Sequence, residues 1–146
     1  MTQGLSQRLR GVVDALPLRE GMRVLEIGCG PGSAAREVAH RVGQGHVLAI
    51  DRSEKAIAAA IAGSQAEMAS GRLSFARVAV EDFELAPGEP KFDLAFAVRV
   101  GALDGRHPGT GRRALLRVAS ALTSTGCLLV EQGHCMVEVP LRRVLS

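Results

Sequence analysis

Short runs of strand-type apolar residues alternate along this chain with longer segments of helical period. Such an alternation predicts β-α-β units, which place parallel strands in one sheet and cover both of its faces with helices. We therefore expect an α/β fold with an open, mostly parallel sheet of about five or six strands. The predicted strands cover residues 23–27, 46–50, 73–80, 92–98 and 127–131, and the predicted helices cover residues 5–16, 33–42, 54–69 and 112–122.

Local signals mark the ends of these helices. Ser33 and Ser53 predict N-caps, because a short hydroxyl side chain can accept a hydrogen bond from an amide of the first turn. Gly43 predicts the end of the second helix and Gly71 the end of the third. The helix over residues 5–16 is expected to stop before Pro17.

Composition suits one globular domain over residues 1–146. The chain is 47% hydrophobic and 23% charged, which excludes collagen-like, coiled-coil and disordered classes. No run approaches the roughly 20 apolar residues that cross a bilayer, and residues 1–10 lack the apolar segment of a secretory signal, so we expect a cytoplasmic protein and no membrane partner. Cys29, Cys127 and Cys135 lack the paired spacing of zinc or redox sites, which predicts reduced thiols and no metal.

Charge and aromatic content argue against a nucleic-acid partner. The formal net charge is +3, and acidic residues are interleaved with the arginines along the chain. Nucleic-acid-binding domains more often show a basic stripe or a recognised motif. The chain also has no Trp or Tyr and only 4 Phe, so it offers few rings on which bases could stack.

A glycine-rich turn, E-I-G-C-G-P-G from Glu26 to Gly32, follows the first predicted strand. Glycines there let the backbone bend sharply into a helix and approach a ligand closely. The second predicted strand ends about 20 residues later at Asp51, where a carboxylate can accept the hydroxyls of a ribose. A glycine turn alone can serve packing, but the combination with a helix, a strand and a terminal acid predicts a nucleoside site.

The spacing of these glycines is G-x-G-x-G and differs from the G-x-G-x-x-G of dinucleotide-binding folds. The segment V-L-E-I-G-C-G-P-G, residues 24–32, resembles motif I of the class I S-adenosylmethionine-dependent methyltransferases. Residues 48–53 are similar to the second motif of that family, residues 92–97 to its fourth, and residues 122–130 to the approach to its fifth strand. The resemblance covers most of the chain and implies a Rossmann-like fold, S-adenosyl-L-methionine as the cofactor, and methyl transfer.

The resemblance also implies roles for individual residues. The turn from Gly28 to Gly32 would pass beneath the methionine part of the cofactor, and Glu26 would hold the amino end through the loop or a water. Asp51 would take the ribose hydroxyls, while Arg52 would lie against the adenine.

The adenine edge is where this chain departs from the family pattern. The family places an Asp after its third strand, and Ala79 stands at that place here, so Glu81 or Asp82 is expected to reach the adenine edge. The complete set of expected cofactor-binding residues is Glu26, Gly28, Cys29, Gly30, Gly32, Asp51, Arg52, Val80, Glu81, Asp82 and Val98.

Methyl transfer needs little acid–base chemistry, because the sulfonium is already an activated donor and the site mainly aligns the acceptor and excludes water. No catalytic triad is therefore required. Arg99 and His107, near the carboxyl end of the fourth strand, are the candidate catalytic residues, and an imidazole suits a general base. Asp104, Glu131 and His134 are further candidates to orient an acceptor, although each is also compatible with a loop residue that has no role.

Negative evidence favours a small-molecule acceptor. Family members that methylate nucleic-acid amino groups carry an Asp or Asn, two prolines and an aromatic after the fourth strand, where residues 98–101 read V-R-V-G. Cytosine C5 methylation needs a Cys in that region, and none stands there.

Two alternatives remain open. The chain could be a non-catalytic cofactor-binding domain or subunit of a larger methyltransferase, or an NAD-type oxidoreductase, which would need a Tyr–Lys pair or a catalytic domain.

The segment after the fifth predicted strand, residues 133–146, is too short for the two further strands with which the family usually ends. We expect a truncated hairpin, with one extra strand or one or two helical turns. An uncovered sheet edge invites pairing with another chain, so a homodimer is expected.

Overall fold

A mixed sheet lies between two layers of helices in the computed structural model, which describes residues 5–103, 108–133 and 135–141. Within those residues the strands are β1 (Arg23–Ile27), β2 (His46–Asp51), β3 (Leu73–Arg77), β4 (Phe92–Ala97), β5 (Leu122–Gln132) and β6 (Cys135–Val139). The helices are α1 (Gln7–Ala15), α2 (Ser33–Arg41), α3 (Glu54–Gly63), α4 (Gln65–Ala69) and α5 (Pro108–Ala121).

The strand order across the sheet is β3-β2-β1-β4-β5-β6. The strands from β1 to β5 pair in parallel, and β6 runs antiparallel to β5. This arrangement confirms the expected α/β, Rossmann-like fold. Since β1 pairs with both β2 and β4, the strand order reverses beside β1, and ligands of open α/β sheets bind at such a switch point, outside the carboxyl ends of the strands.

Both faces of the central strands are buried, as the continuous apolar runs of a parallel sheet predict. On one face Val24, Val47 and Phe96 pack with α1, α2 and α3, and on the other face Leu25 and Ile50 pack with α5. The strand ends near β1 are therefore held rigidly from both sides.

Three helix boundaries differ from the prediction. Gly32, with φ +89°, is the N-cap of α2, and Ser33 is already inside the helix. The predicted helix over residues 54–69 begins after its Ser53 cap as expected but is interrupted at Ser64 into α3 and α4. Gly63 and Ser64 are poor helix formers, and Ser64 has the non-helical φ of −126°. Helix α5 begins earlier than predicted, at Pro108, a residue favoured in the first helical position.

Two strands also differ from the prediction. Strand β3 ends at Arg77, and Val80–Asp82 form a short 3-10 turn instead of the end of the strand. Strand β5 begins at Leu122, where it pairs with Phe92 before a register irregularity, although the polar residues 123–126 resemble a turn.

The segment after β5 supplies one extra strand, which is one of the two outcomes expected. Gly133, with φ +61°, suits a tight hairpin turn, and the register pairs Gln132 with Cys135. Strand β6 is thus an edge of the sheet. In the parts of the chain that the structure describes, no helix has the length and apolarity needed to cross a membrane.

Candidate functional site

A cavity of about 520 Å3 opens at the carboxyl ends of β1, β2 and β4, within the size range of small-molecule sites. Its walls are formed by residues 27–28, 50–52, 78–81 and 99–102, together with Thr110 near the start of α5. The parallel topology brings these separate segments together because all of the strands concerned end at the same edge of the sheet.

The glycine turn after β1 has a backbone that other residues rarely adopt. Gly28, Gly30 and Gly32 have φ values of +74°, +53° and +89°. The first part of the turn is fastened to β2, because the amides of Gly28 and Cys29 both donate to the carbonyl of Ile50 at 2.8 and 3.0 Å. The turn therefore runs across the end of β2 before it enters α2.

Asp51 ends β2 beside this turn. Its Oδ2 accepts a hydrogen bond from the Gly30 amide at 2.9 Å, and its Oδ1 accepts one from the Ser53 amide at 2.9 Å. A carboxylate has about four lone-pair sites, so these two bonds leave acceptor capacity on the cavity side. The carboxylate is thus held in place by the protein and still open to a ligand hydroxyl.

Glu26 lies one residue before the end of β1 and is only 4% exposed. Its Oε1 is buried and has no hydrogen-bond partner among the described residues. Burial, and secondarily the nearby charge of Asp51, raises the pKa of Glu26 to about 8. An unpaired buried carboxyl oxygen is destabilising unless a donor reaches it, so a hydrogen-bond donor is the partner that this oxygen lacks.

Cys29 lies within the turn but is not a nucleophile in this environment. The side chain is buried, and burial, followed by the charges of Glu26 and Asp51, raises the pKa of its thiol. The thiolate, which is the reactive form, is therefore scarce near neutral pH. A small side chain is simply what the packed turn accommodates.

The structure brings together part of the residue set predicted from sequence. Gly28, Asp51, Arg52, Val80, Glu81 and Arg99 line the cavity. Gly30 is bonded to Asp51, whereas Glu26, Cys29 and Gly32 lie behind the lining, in or beside the turn.

Other predicted residues lie elsewhere. Asp82 pairs with Arg113 of α5 at 2.7 Å and does not line the cavity, whereas Glu81 does. Glu131 forms an ion pair with Arg8 of α1. Val98 packs against the core on the α1–α3 side of the sheet.

Three candidates, Asp104, His107 and His134, lie outside the described residues. Within the described ranges, no group of three or more His, Cys, Asp or Glu side chains is placed to hold a metal ion.

Sequence reasoning missed Thr110 and singled out no individual residue of the apolar wall at residues 100–102. Thr110 stands in a stretch rich in Gly and Pro that resembles a loop, and no residue type in the wall carries a chemical signature. Val100 packs so closely that a Cβ on Gly28 would lie 2.6 Å from its Cγ2. Arg99 was predicted, and its φ of +54° is a strained value of the kind that clusters at functional sites.

Comparison with known proteins agrees with this fold. The sequence profile of a family described as a methyltransferase domain matches residues 18–144. No protein of curated function matches the sequence.

Solved structures with this fold include several methyltransferases. The methyltransferase from Thiobacillus denitrificans in complex with S-adenosyl-L-homocysteine is 22% identical, with a TM-score of 0.66 over 87% of this chain and 48% of that one. The phosphoethanolamine N-methyltransferase 1 of Haemonchus contortus, also with S-adenosylhomocysteine, is 19% identical, with a TM-score of 0.69 over 84% of this chain and 24% of that one. The [4+2]-cyclase SpnF is 26% identical, with a TM-score of 0.66 over 84% and 42%.

This chain therefore spans about half the length, or less, of these solved structures. At such identities the likeness to the methyltransferases shows the fold, while the profile match covers most of the sequence. On that match, and in agreement with the motifs after β1 and β2, the chain belongs to the family of S-adenosylmethionine-dependent methyltransferase domains.

Proposed function

We propose that this chain binds S-adenosyl-L-methionine in the cavity at the carboxyl ends of its strands and transfers the methyl group to a small-molecule acceptor. One observation carries the proposal: Asp51 Oδ2 accepts a hydrogen bond from the Gly30 amide at 2.9 Å, at the wall of the cavity. A fixed carboxylate and an open glycine backbone then stand side by side, as the ribose and the adjoining chain of a nucleoside cofactor require.

The residues of the cavity fit the parts of this cofactor. The free lone pairs of Asp51 can accept the ribose hydroxyls. A Cβ added to Gly30 would meet no heavy atom within 4 Å, so the face of the turn at Gly30 is open to the methionine part. Arg52 and Glu81 line the cavity beyond Asp51. There the guanidinium can stack on the adenine, and the carboxylate can accept from its amino group.

Glu26 fits the remaining polar end of the cofactor. Glu26 lies in β1 just before the glycines, and the ammonium of the methionine part is the donor that its unpaired Oε1 lacks. The contact can run through the backbone of the turn or through a bridging water, since a bridging water is energetically close to a direct hydrogen bond.

When bound, the cofactor supplies a methyl group activated by its sulfonium. The tasks left to the chain are to orient the acceptor and to exclude water. Arg99 and Thr110 line the β4–α5 side of the cavity, and we propose that they hydrogen-bond the acceptor there. Arg99 is the only one of the two proposed catalytic residues within the described ranges, and His107 remains a prediction.

A non-catalytic cofactor-binding domain, or a subunit of a larger methyltransferase, is the second candidate. The observation behind this candidate is that the matched part amounts to only 24–53% of each of several solved methyltransferases. In that case the acceptor would be bound by another polypeptide. Binding of the cofactor is common to both candidates, and only turnover separates them.

The test of cofactor binding is a calorimetric titration with S-adenosylhomocysteine, run beside NADH on the same sample. Binding of S-adenosylhomocysteine alone, with a Kd of order micromolar, supports the proposal. Absence of that binding refutes it, and binding of NADH instead would favour an oxidoreductase.

Turnover is then measured as S-adenosylhomocysteine formed over a panel of small amine, hydroxyl, thiol and carboxylate acceptors. Turnover with any of them supports the enzyme. Binding without turnover over the whole panel supports the non-catalytic candidate.

A homodimer through the β6 edge also remains a proposal. Among the residues that the structure describes, strand β6 has one neighbour in the sheet, and Val137 exposes 37% of its surface. Light scattering that gives a monomer mass at micromolar concentration would overturn it.

A further inference from the structure

The second half of the glycine turn is held by a side chain that no motif includes. Arg36 of α2 donates through Nη1 to the carbonyl of Pro31 at 3.0 Å and to the hydroxyl of Ser64 at 2.9 Å. Its Nη2 donates to the hydroxyl of Ser33 at 3.4 Å. One guanidinium thus joins the turn, the first residue of α2 and the interruption between α3 and α4.

This contact completes the anchoring of the turn. The first half is fastened to β2 by the amides of Gly28, Cys29 and Gly30. Pro31 has no amide hydrogen, so its carbonyl is the one backbone group through which it can be held, and Arg36 holds it. Without that bond, the segment between Gly30 and α2 would be held within the turn by the hydrogen bond from the Gly32 amide to the Cys29 carbonyl at 3.1 Å, and it would regain part of its conformational freedom.

Ser64 provides the buried acceptor for this contact. It is fully buried, although it is a polar residue at the end of a surface helix. Its position interrupts the helix, and the hydroxyl of Ser64 accepts the hydrogen bond from Arg36. The break between α3 and α4 therefore places a buried hydrogen-bond acceptor next to α2.

The packing around Gly32 shows that the anchor acts on the turn itself. A Cβ at Gly32 would lie 3.1 Å from Arg36 Nη1, 3.2 Å from Ala60 Cβ and 3.3 Å from Phe75 Cζ. The guanidinium thus lies where a side chain at residue 32 would be, so a movement of Arg36 would change the space beside the last glycine.

We propose that Arg36 and Ser64 are positioning residues that hold the glycine turn in its cofactor-binding conformation, an inference that rests on the proposed function. Neither residue lines the cavity, so both act through the turn. The bond to Pro31 orders the second half of the turn before the cofactor arrives, which removes part of the entropy cost of binding.

A purely structural role for Arg36 in docking α2 on α4 is the competing explanation, and the chain offers a matched control for it. One helical turn along α2, His40 Nε2 lies 3.2 Å from Glu67 Oε2 of α4. This second contact also joins α2 to α4, but it does not reach the turn. Removing it should affect the docking of the helices and leave the turn unchanged.

The experiment compares Arg36→Met, which keeps the aliphatic packing, with Ser64→Ala and the control His40→Ala. Each variant is measured for its Kd for S-adenosylhomocysteine, for its Tm, and for amide hydrogen exchange of Gly30, Gly32 and Ser33 without ligand. We expect Arg36→Met to weaken binding about tenfold and to speed exchange at these amides by a similar factor. Ser64→Ala should show a smaller change in the same direction, and Arg36→Lys should restore part of both.

His40→Ala should leave the affinity and the exchange of the turn within about twofold of the wild type. Unchanged affinity and exchange in Arg36→Met would overturn the proposal, as would equal effects of Arg36→Met and His40→Ala at matched loss of Tm. If Arg36→Met does not fold, Ser64→Ala decides by the same two readouts. If the wild type does not bind S-adenosylhomocysteine, the proposed function fails, and the exchange rates of the unliganded variants still decide whether Arg36 holds the turn.

Discussion

Raising the pH through neutrality should destabilise this protein because of the buried carboxyl of Glu26. Burial, and then the charge of Asp51, raises the pKa of Glu26 from 4.5 to about 8 in the folded state. In the unfolded chain the same group is exposed to water and titrates near its ordinary value. At any pH between these two pKa values, the folded protein holds a proton that the unfolded chain has lost.

The sign and the size of the effect follow from proton linkage. The free energy of unfolding falls with pH wherever the folded state binds more protons, at about 1.4 kcal/mol per pH unit for one group. The stabilisation is complete below the unfolded pKa and is lost as the pH rises through the folded one. Over the interval from 4.5 to about 8 the loss is at most about 5 kcal/mol, a large part of the stability of an ordinary domain.

The assay is urea unfolding of the wild type and Glu26→Gln at steps between about pH 5 and about pH 8.5. Gln has the shape of Glu and does not titrate, so the difference between the two curves isolates residue 26 from other groups. We expect the wild type to lose stability relative to the variant by several kcal/mol as the pH rises. A difference that stays constant to within about 0.5 kcal/mol would refute the assignment of the proton to Glu26.

The proton held by Glu26 should also affect cofactor binding. An ammonium beside Glu26 favours its carboxylate form and so lowers the pKa. Binding of S-adenosylhomocysteine near pH 7 should therefore release a proton, and the heat of binding should change with the ionisation enthalpy of the buffer. Glu26→Gln should abolish that dependence, and a buffer-independent heat in the wild type would contradict the contact.

Three further predictions concern the turn and its neighbours. Asp51→Ala should weaken S-adenosylhomocysteine binding by about ten- to a hundredfold, since it removes charge-assisted bonds to the ribose and the anchor of Gly30, and unchanged calorimetric affinity would contradict this. Gly28→Ala should lower Tm more than Gly30→Ala. Both glycines have a positive φ, but only a Cβ added at Gly28 meets a side chain, at 2.6 Å. Gly30→Ala should instead weaken S-adenosylhomocysteine binding by at least about tenfold. A thiol reagent should label exposed Cys135 rapidly and buried Cys29 only on unfolding, and mass mapping of the labelled peptides would detect the reverse order.

The fold was predictable where burial decides the structure. Strand β1 has the predicted bounds, and β2 and β4 each differ from theirs by one residue, because strands covered on both faces need continuous apolar runs. Prediction failed where a tertiary contact overrode local preference. The polar start of β5 is a strand because β4 pairs with it. At the interruption of the third predicted helix, where Gly63 and Ser64 are poor helix formers, the Ser64 hydroxyl is bonded to Arg36.

The two halves of the candidate site differ in how strongly they constrain the sequence. The cofactor side requires backbone conformations that only glycine adopts freely, at residues 28, 30 and 32, and an acid at one fixed strand end, Asp51. Few residue types satisfy these conditions, so the pattern is visible in one sequence. The contacts of Arg36 could not be predicted in this way, because they join it to Pro31 and to Ser64, which is 28 positions away.

The acceptor side carries no comparable constraint. Its described wall is made by residues 99–102 and Thr110, in which any small or apolar side chain of suitable volume would close the cavity. Arg99 is the exception. An arginine with a φ of +54° carries about 1–3 kcal/mol of backbone strain that a glycine would avoid. An Arg99→Gly variant should therefore be at least as stable as the wild type. If turnover nevertheless falls while the affinity for S-adenosylhomocysteine is unchanged, the strained arginine acts on the acceptor and not on the cofactor.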